Sequence, residues 1–146
     1  MKDNFVKISF SAIGENVALS RIALSSFLAG YDLPLSSLDE LKIALSEAAS
    51  NAIIHGYDED PSQIVTVEFL LNDDLLSLKI IDDGAGIADI KKAMEPAFSS
   101  KSEHKGLGYV FMDSFTHKLT VTSTLGHGTT VQMQRSLKEY PTCAAV

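Results

Sequence analysis

Helix-patterned stretches gather early in this chain and paired strand-patterned stretches gather late, and that segregation narrows its fold more than any other feature. Ile64 to Leu71 and Leu75 to Ile81 are rich in Val, Ile, Leu and Phe and are parted by Asn72-Asp73-Asp74, which predicts an antiparallel hairpin. Lys118 to Thr124 and Thr129 to Arg135, flanking Gly126-His127-Gly128, predict another. A further strand, Phe5 to Ser11, shows in the alternation of Val6, Ile8 and Phe10 with Lys7, Ser9 and Ser11. A first helix is predicted over residues 15–29, with Val17, Ile22, Ala23, Phe27 and Leu28 available to face inward, Arg21 and Ser25 toward solvent, and Gly30 as its stop. After Pro34, Ser37 and Glu40 match the S-x-x-E capping box, so a second helix is predicted from Leu38 to His55, ending at Gly56. Short helical stretches are predicted near Asp89 to Met94 and from Gly108 onward. The result is an α+β fold, a two-layer α/β sandwich whose largely antiparallel mixed sheet is covered on one face by helices. A length of 146 residues suits one domain, expected over 1–137, with 138–146 as a frayed C-terminal tail.

Charge and cysteine usage remove several classes of function. A net charge of −7 without any Lys/Arg-rich run argues against nucleic acid as a direct partner, because that binding rests on neutralising phosphates. Cys143 is the sole cysteine, so an intrachain disulfide and a cysteine-rich zinc site are excluded. No apolar run approaches the roughly 18 residues that a membrane span needs, and the start reads as alternating residues, not as an apolar signal core. The expectation is a cytoplasmic protein that does not engage a membrane.

Chemistry concentrates in four ordered motifs: Glu47-x3-Asn51-x3-His55-Gly56, Asp82-x-Gly84-x-Gly86, Gly106-x-Gly108 and Gly128-Thr129-Thr130. Residues four apart share a helix face, so Glu47, Asn51 and His55 form a polar stripe on a helix otherwise dominated by Ala, Leu and Ile. Taken singly, each residue has a plain reading: Glu47 as a solvated carboxylate, Asn51 as a surface residue, His55 as a cation at a helix C-terminus. Taken together, the amide oxygen of Asn51 suits Mg²⁺ as a hard ligand. Asp82 ends an apolar run, where its carboxylate is placed to accept a hydrogen bond from the exocyclic amine of adenine while Gly84 and Gly86 let backbone approach the ring; an Asp-Gly turn is the plain alternative. Gly106 and Gly108 precede a helix start, whose free N–H groups attract phosphate. The stretch from Met94 to Lys105 has the length of a nucleotide lid, with Ser99, Ser100, Lys101 and Lys105 as phosphate donors, although a solvated loop has the same composition. Thr129 and Thr130 fit a strand on propensity alone. Neither a P-loop nor an H-R-D catalytic loop is present, so the phosphate cradle is of another kind.

The order of these boxes resembles the gyrase, heat-shock chaperone, histidine kinase and mismatch-repair (GHKL) ATPase superfamily, and within it the anti-sigma F factor family of spore-forming bacteria. The resemblance is carried by Ser46-Glu47-Ala48, Asn51 through Tyr57, Asp82 through Ile87, Pro96 through Lys101, Gly106 through Tyr109, and Gly128-Thr129-Thr130-Val131. It implies a Bergerat-type ATP-binding fold and an ATP- and Mg²⁺-dependent protein-serine kinase. It also implies a sporulation-type sigma factor as inhibited partner, an anti-anti-sigma protein of the STAS type as substrate, and a homodimer. By that pattern Glu47 is the catalytic base, Asn51 the Mg²⁺ ligand, and Asp82 the adenine reader, with Gly84 and Gly86 shaping its pocket and Thr130 nearby. Gly106 and Gly108 contact phosphates, and Arg21 resembles an exposed arginine that meets the partner.

Where the family has Thr-Thr-Lys followed by an arginine, this chain has Ser99-Ser100-Lys101-Ser102-Glu103-His104-Lys105, about two residues shorter, and no arginine occurs between Arg21 and Arg135. That departure motivates a second reading, a nucleotide-gated binding protein with little kinase activity. A third is a detached histidine-kinase-like catalytic domain, although no upstream dimerisation helix with a phospho-acceptor histidine stands in this chain.

Overall fold

One sheet is built from β1 (Asn4–Ser11), β2 (Ile64–Asn72), β3 (Leu75–Asp82), β4 (Lys118–Ser123) and β5 (Thr129–Ser136), in the order β1-β2-β3-β5-β4. The computed structural model describes residues 3–95 and 107–138, and every strand pairing among them is antiparallel, so the sheet is not mixed. Alternation decides the inner face: Val65, Val67, Phe69 and Leu71 of β2 are buried, while Ile64 and Leu70 on the other face stay exposed. Asp73 takes the left-handed φ of 53° that the tight β2–β3 turn requires, a conformation Asp tolerates better than most residues.

The helices are α1 (Glu15–Phe27), α2 (Leu35–Asn51), α3 (Ile90–Ala93) and α4 (Gly108–Phe115), with a π-helical turn, Ala52–Gly56, continuing α2. Leu41, Ala44, Leu45, Ala48 and Ala49 of α2 are buried, and its small residues let the helix lie close to its neighbours. This packing fixes where the face carrying Glu47 and Asn51 points. Among the described residues, no helix is long and apolar enough to cross a membrane.

Three local expectations are corrected. Ile22 is 67% exposed, because the inward stripe of α1 runs through Val17, Ser20, Leu24 and Leu28, and residue 22 falls opposite that stripe. Ser20 can join it because its hydroxyl donates to the Val17 carbonyl at 2.6 Å. Arg21 does not stand free in solvent: it is half-buried and donates to Ser46 Oγ of α2 at 3.0 Å. The capping box is not used either. α2 starts at Leu35 behind Pro34, with Ser37 buried inside the first turn and no side-chain cap, since Pro34 pre-sets the entry and Glu40 pairs elsewhere, with Arg135. Both hairpins and the first strand hold to within a residue or so of expectation.

Phe69 is fully buried, with its ring centroid 5.6 Å from that of Phe27, joining the sheet to α1. Phe69→Ala is predicted to lower the unfolding free energy by about 3–5 kcal/mol, the range for a large aromatic removed from a core. Urea titration checks this, and a loss below about 1 kcal/mol contradicts the packing described.

Candidate functional site

Glu47 and Asn51 lie one turn apart on α2, both half-buried, and α4 begins directly against them. A Cβ added to Gly108 would stand 3.0 Å from Glu47 Oε2 and 3.3 Å from Asn51 Nδ2. The first residue of α4 thus meets a carboxylate and a carboxamide at the helix end where backbone N–H groups are left unpaired.

Beyond Asn51 the helix widens to π geometry, an arrangement found most often at functional positions. The Gly56 carbonyl then accepts the Ala85 N–H at 2.8 Å, tying the end of the helix to the loop after β3. Nothing larger than glycine fits this junction. A Cβ on Gly84 would sit 2.0 Å from the Gly56 carbonyl oxygen, and one on Gly56 would sit 2.7 Å from Asp82 Oδ1. Gly86 has a φ of +73° and turns the loop back, so that the Ala85 carbonyl accepts the Gly126 N–H at 2.7 Å.

Asp82, the last residue of β3, is only 6% exposed. Its Oδ1 accepts the Gly84 N–H at 2.9 Å, and the Thr129 N–H also donates to the carboxylate. Burial raises its pKa; the two N–H bonds pull the other way and the neighbouring Asp83 charge adds to the rise, leaving the value above the ordinary carboxylate one. Tyr109, the second residue of α4, has its pKa pushed up to about 12 by burial and then by the negative charge of Asp82. Gly108 and Tyr109 are consecutive, so the start of α4 borders both the Glu47–Asn51 face and the surroundings of Asp82.

Some placements differ from expectation. Thr129 opposes Asp82 in the β3–β5 ladder and is buried on the same face, whereas Thr130 opposes Ile81 and lies on the other face of the sheet. His55 lies half-buried within the π-helical turn. Ser100, Lys101, Lys105 and Gly106 lie outside the described residues, as does the tail from 139 on. Two supports were not predicted from the sequence. Tyr57 donates to the Ile64 carbonyl and accepts the Asp83 N–H, each at 2.7 Å, which braces the loop behind Asp82. Ser123 accepts the Ile87 N–H at 2.7 Å and donates to the Gly128 carbonyl at 2.8 Å, closing the far side. Tyr57 closes the segment from Asn51 that carries the resemblance, though without a role read for it; Ser123 reads as an ordinary strand serine.

These residues fit a magnesium nucleotide. Asp82 offers a shielded acceptor for an amine, Gly84 and Gly86 let the loop beside it pack tightly on neighbouring backbone, and two oxygen-bearing side chains stand against the first residue of α4. The carboxamide oxygen of Asn51 is a hard donor of the kind Mg²⁺ takes, an ion that uses few protein ligands and completes its shell with phosphate and water oxygens.

Because the folded protein holds the Asp82 proton more tightly than the unfolded chain does, stability falls as pH rises from the ordinary carboxylate value through the raised one. Asp82→Asn keeps an acceptor for the Gly84 N–H and removes the buried charge. It is predicted to be at least as stable as the parent at pH 7 and to flatten that fall, as denaturant titrations across pH would report; clear destabilisation at pH 7 contradicts the assignment to burial. Gly84→Ala is predicted to cost about 1–3 kcal/mol through overpacking, read from the denaturation midpoint, with an unchanged midpoint contradicting the close approach.

The profile of the histidine kinase-like ATPase domain matches residues 10–135. The chain is 46% identical over 131 residues to the anti-sigma F factor of Lysinibacillus sphaericus, covering 88% of this chain and 90% of that one. It is 37% identical over 136 residues to the anti-sigma F factor of Geobacillus kaustophilus, covering 92% and 93%. Among solved structures, the RsbU and RsbW domains of a Mycobacterium tuberculosis protein superpose with a TM-score of 0.64 at 19% identity, over 92% of this chain and 32% of that one. A histidine kinase domain from the blue-light-activated kinase of Erythrobacter litoralis gives 0.58 at 18% identity, over 88% and 62%. At those identities the structural likeness speaks for the fold alone.

Proposed function

The chain belongs to the anti-sigma F factor family of histidine kinase-like ATPase domains, and on that premise we propose that it is an anti-sigma factor with ATP-dependent protein-serine kinase activity. In this reading it binds and inhibits a sporulation-type sigma factor in the cytoplasm. It phosphorylates a serine of a STAS-type anti-anti-sigma antagonist and works as a homodimer. The observation that carries the reading is the meeting of Gly108 with both Glu47 and Asn51 while Tyr109 feels the charge of Asp82.

Asp82 accepts a hydrogen bond from the exocyclic amine of adenine, and Gly84 and Gly86 shape the pocket beside it. Asn51 holds Mg²⁺, and the free N–H groups at the start of α4 receive phosphate oxygens. When bound, Mg-ATP supplies the phosphoryl group, with the metal dispersing its negative charge. Glu47, one turn from the metal ligand, takes the proton of the partner's serine hydroxyl as the serine oxygen–phosphorus bond forms and ADP departs. Arg21 is proposed as a partner contact, and its bond to Ser46 must then be shared with or exchanged for the partner.

The absence of arginine between Arg21 and Arg135 favours one alternative, nucleotide-gated binding with little transfer, because lysine lacks arginine's bidentate fork for phosphate. Incubation with Mg-ATP and a candidate anti-anti-sigma protein decides between the two. The kinase reading expects one acid-stable phosphate by mass; the alternative expects bound nucleotide and no transfer. Glu47→Ala should keep ATP binding while slowing transfer by roughly 10²- to 10⁴-fold, and Asn51→Ala should weaken Mg²⁺-dependent nucleotide binding. Transfer by Glu47→Ala at the parental rate contradicts the role of Glu47 as base.

A further inference from the structure

We propose that Arg135 is a positioning residue for the phosphate end of the site, acting through α4; the inference rests on the nucleotide reading above. Arg135 is buried, 8% exposed, near the end of β5, far in sequence from the residues it serves. Nη1 donates to the Phe115 carbonyl at 2.8 Å and to Glu40 Oε2 of α2 at 3.0 Å. One charged group therefore joins three elements: the sheet through β5, the C-terminal end of α4, and α2, which carries Glu47 and Asn51.

The opposite end of α4 is the end that matters for phosphate. Helix α4 has eight residues; Met112 is fully buried and Tyr109 and Phe115 pack half-buried against the core, so this apolar seat is short and the Arg135 bond adds a polar anchor at its C-terminal end. Phe115 supplies one of the carbonyls a helix C-terminus leaves unpaired, at the negative end of the helix dipole, where a buried cation binds well. Thr116 Oγ1 donates to the Met112 carbonyl at 2.5 Å, occupying a second such group. A helix of this length spans about 12 Å, so a tilt of about 10° around the anchored end would move the N-terminus by about 2 Å. Errors of about 1 Å in the placement of catalytic groups cost on the order of a hundredfold in rate. A Cβ on Gly108 would stand 3.0 Å from Glu47 Oε2, so the start of α4 lies close to that carboxylate, and in this proposal the Arg135 latch holds it there. Glu40 holds the guanidinium toward α2, so α4 is registered against the helix it must face.

The test compares the full chain with Arg135→Met, which keeps unbranched length without donors, and Arg135→Lys, which keeps the charge. Two readouts are used: equilibrium titration with Mg-ATP, and amide hydrogen exchange resolved along the chain without nucleotide. Arg135→Met is expected to bind Mg-ATP at least tenfold more weakly and to exchange faster in α4 while α1 and β2 keep parental protection. Arg135→Lys is expected to fall between Met and parent. Parental affinity and parental α4 exchange in a folded Arg135→Met overturn the proposal, as does a uniform rise in exchange over all elements, which marks general destabilisation. If Arg135→Met does not fold, Glu40→Gln takes its place: a severalfold loss of Mg-ATP affinity with α4-confined exchange supports the latch, and parental behaviour overturns it. Failure of the parent itself to bind Mg-ATP overturns the nucleotide reading instead, and the α4 exchange arm then shows separately whether the latch exists.

Discussion

A carboxylate buried at the end of a central strand is the constraint around which the rest of this structure is arranged. Taking the Asp82 charge out of water is unfavourable, and backbone donors from Gly84 and Thr129 offset part of that cost. Among the described residues its partners are these backbone N–H groups. The consequence for sequence is direct. Gly56 must leave room for the carboxylate, and Gly84 must leave room for the Gly56 carbonyl.

Helix α2 serves packing and chemistry on different faces. Leu41, Ala44, Leu45, Ala48 and Ala49 are buried, whereas Glu47 and Asn51 keep partial exposure beside α4. Its last turn then opens to π geometry, and this change joins the helix to the site. With an i→i+5 bond from Tyr57 N–H to the Ala52 carbonyl, the chain delivers Gly56 to the loop that carries Asp82, and Tyr57 to brace it from behind. Polar stripe, acidic strand end and glycine loop are thereby made parts of one construction.

Much of this was legible before any coordinates. Period-two alternation located the first strand, apolar runs parted by turn residues located the two hairpins, and the spacing of Glu47 and Asn51 placed both on one helix surface. What escaped was set by tertiary contact. The burial of Ser20 in place of Ile22 depends on a hydroxyl satisfying its own helix, which composition cannot weigh. The Ser37–Glu40 box had the right letters, yet Pro34 started the helix earlier and Arg135, far along the chain, claimed Glu40. Thr129 and Thr130 are indistinguishable by propensity, and only the register opposite Asp82 tells which faces the site. Tyr57 and Ser123 act through backbone groups of distant residues, a role without a local signature.

The central claim is that the amide at Asn51 and the carboxylate at Asp82 border one pocket for a magnesium nucleotide. Amide chemical shifts recorded during a titration with Mg-ATP test it most directly. The account predicts that shifts gather in three separated segments at once, around Asn51 to Gly56, Asp82 to Gly86, and Gly108 to Tyr109, with little change on the exposed sheet face at Thr66, Glu68 and Leu70. Shifts confined to the other end of α1, in the groove lined by Ala12, Ile13, Val17 and Ile53, or an absence of shifts at saturating nucleotide, would contradict it.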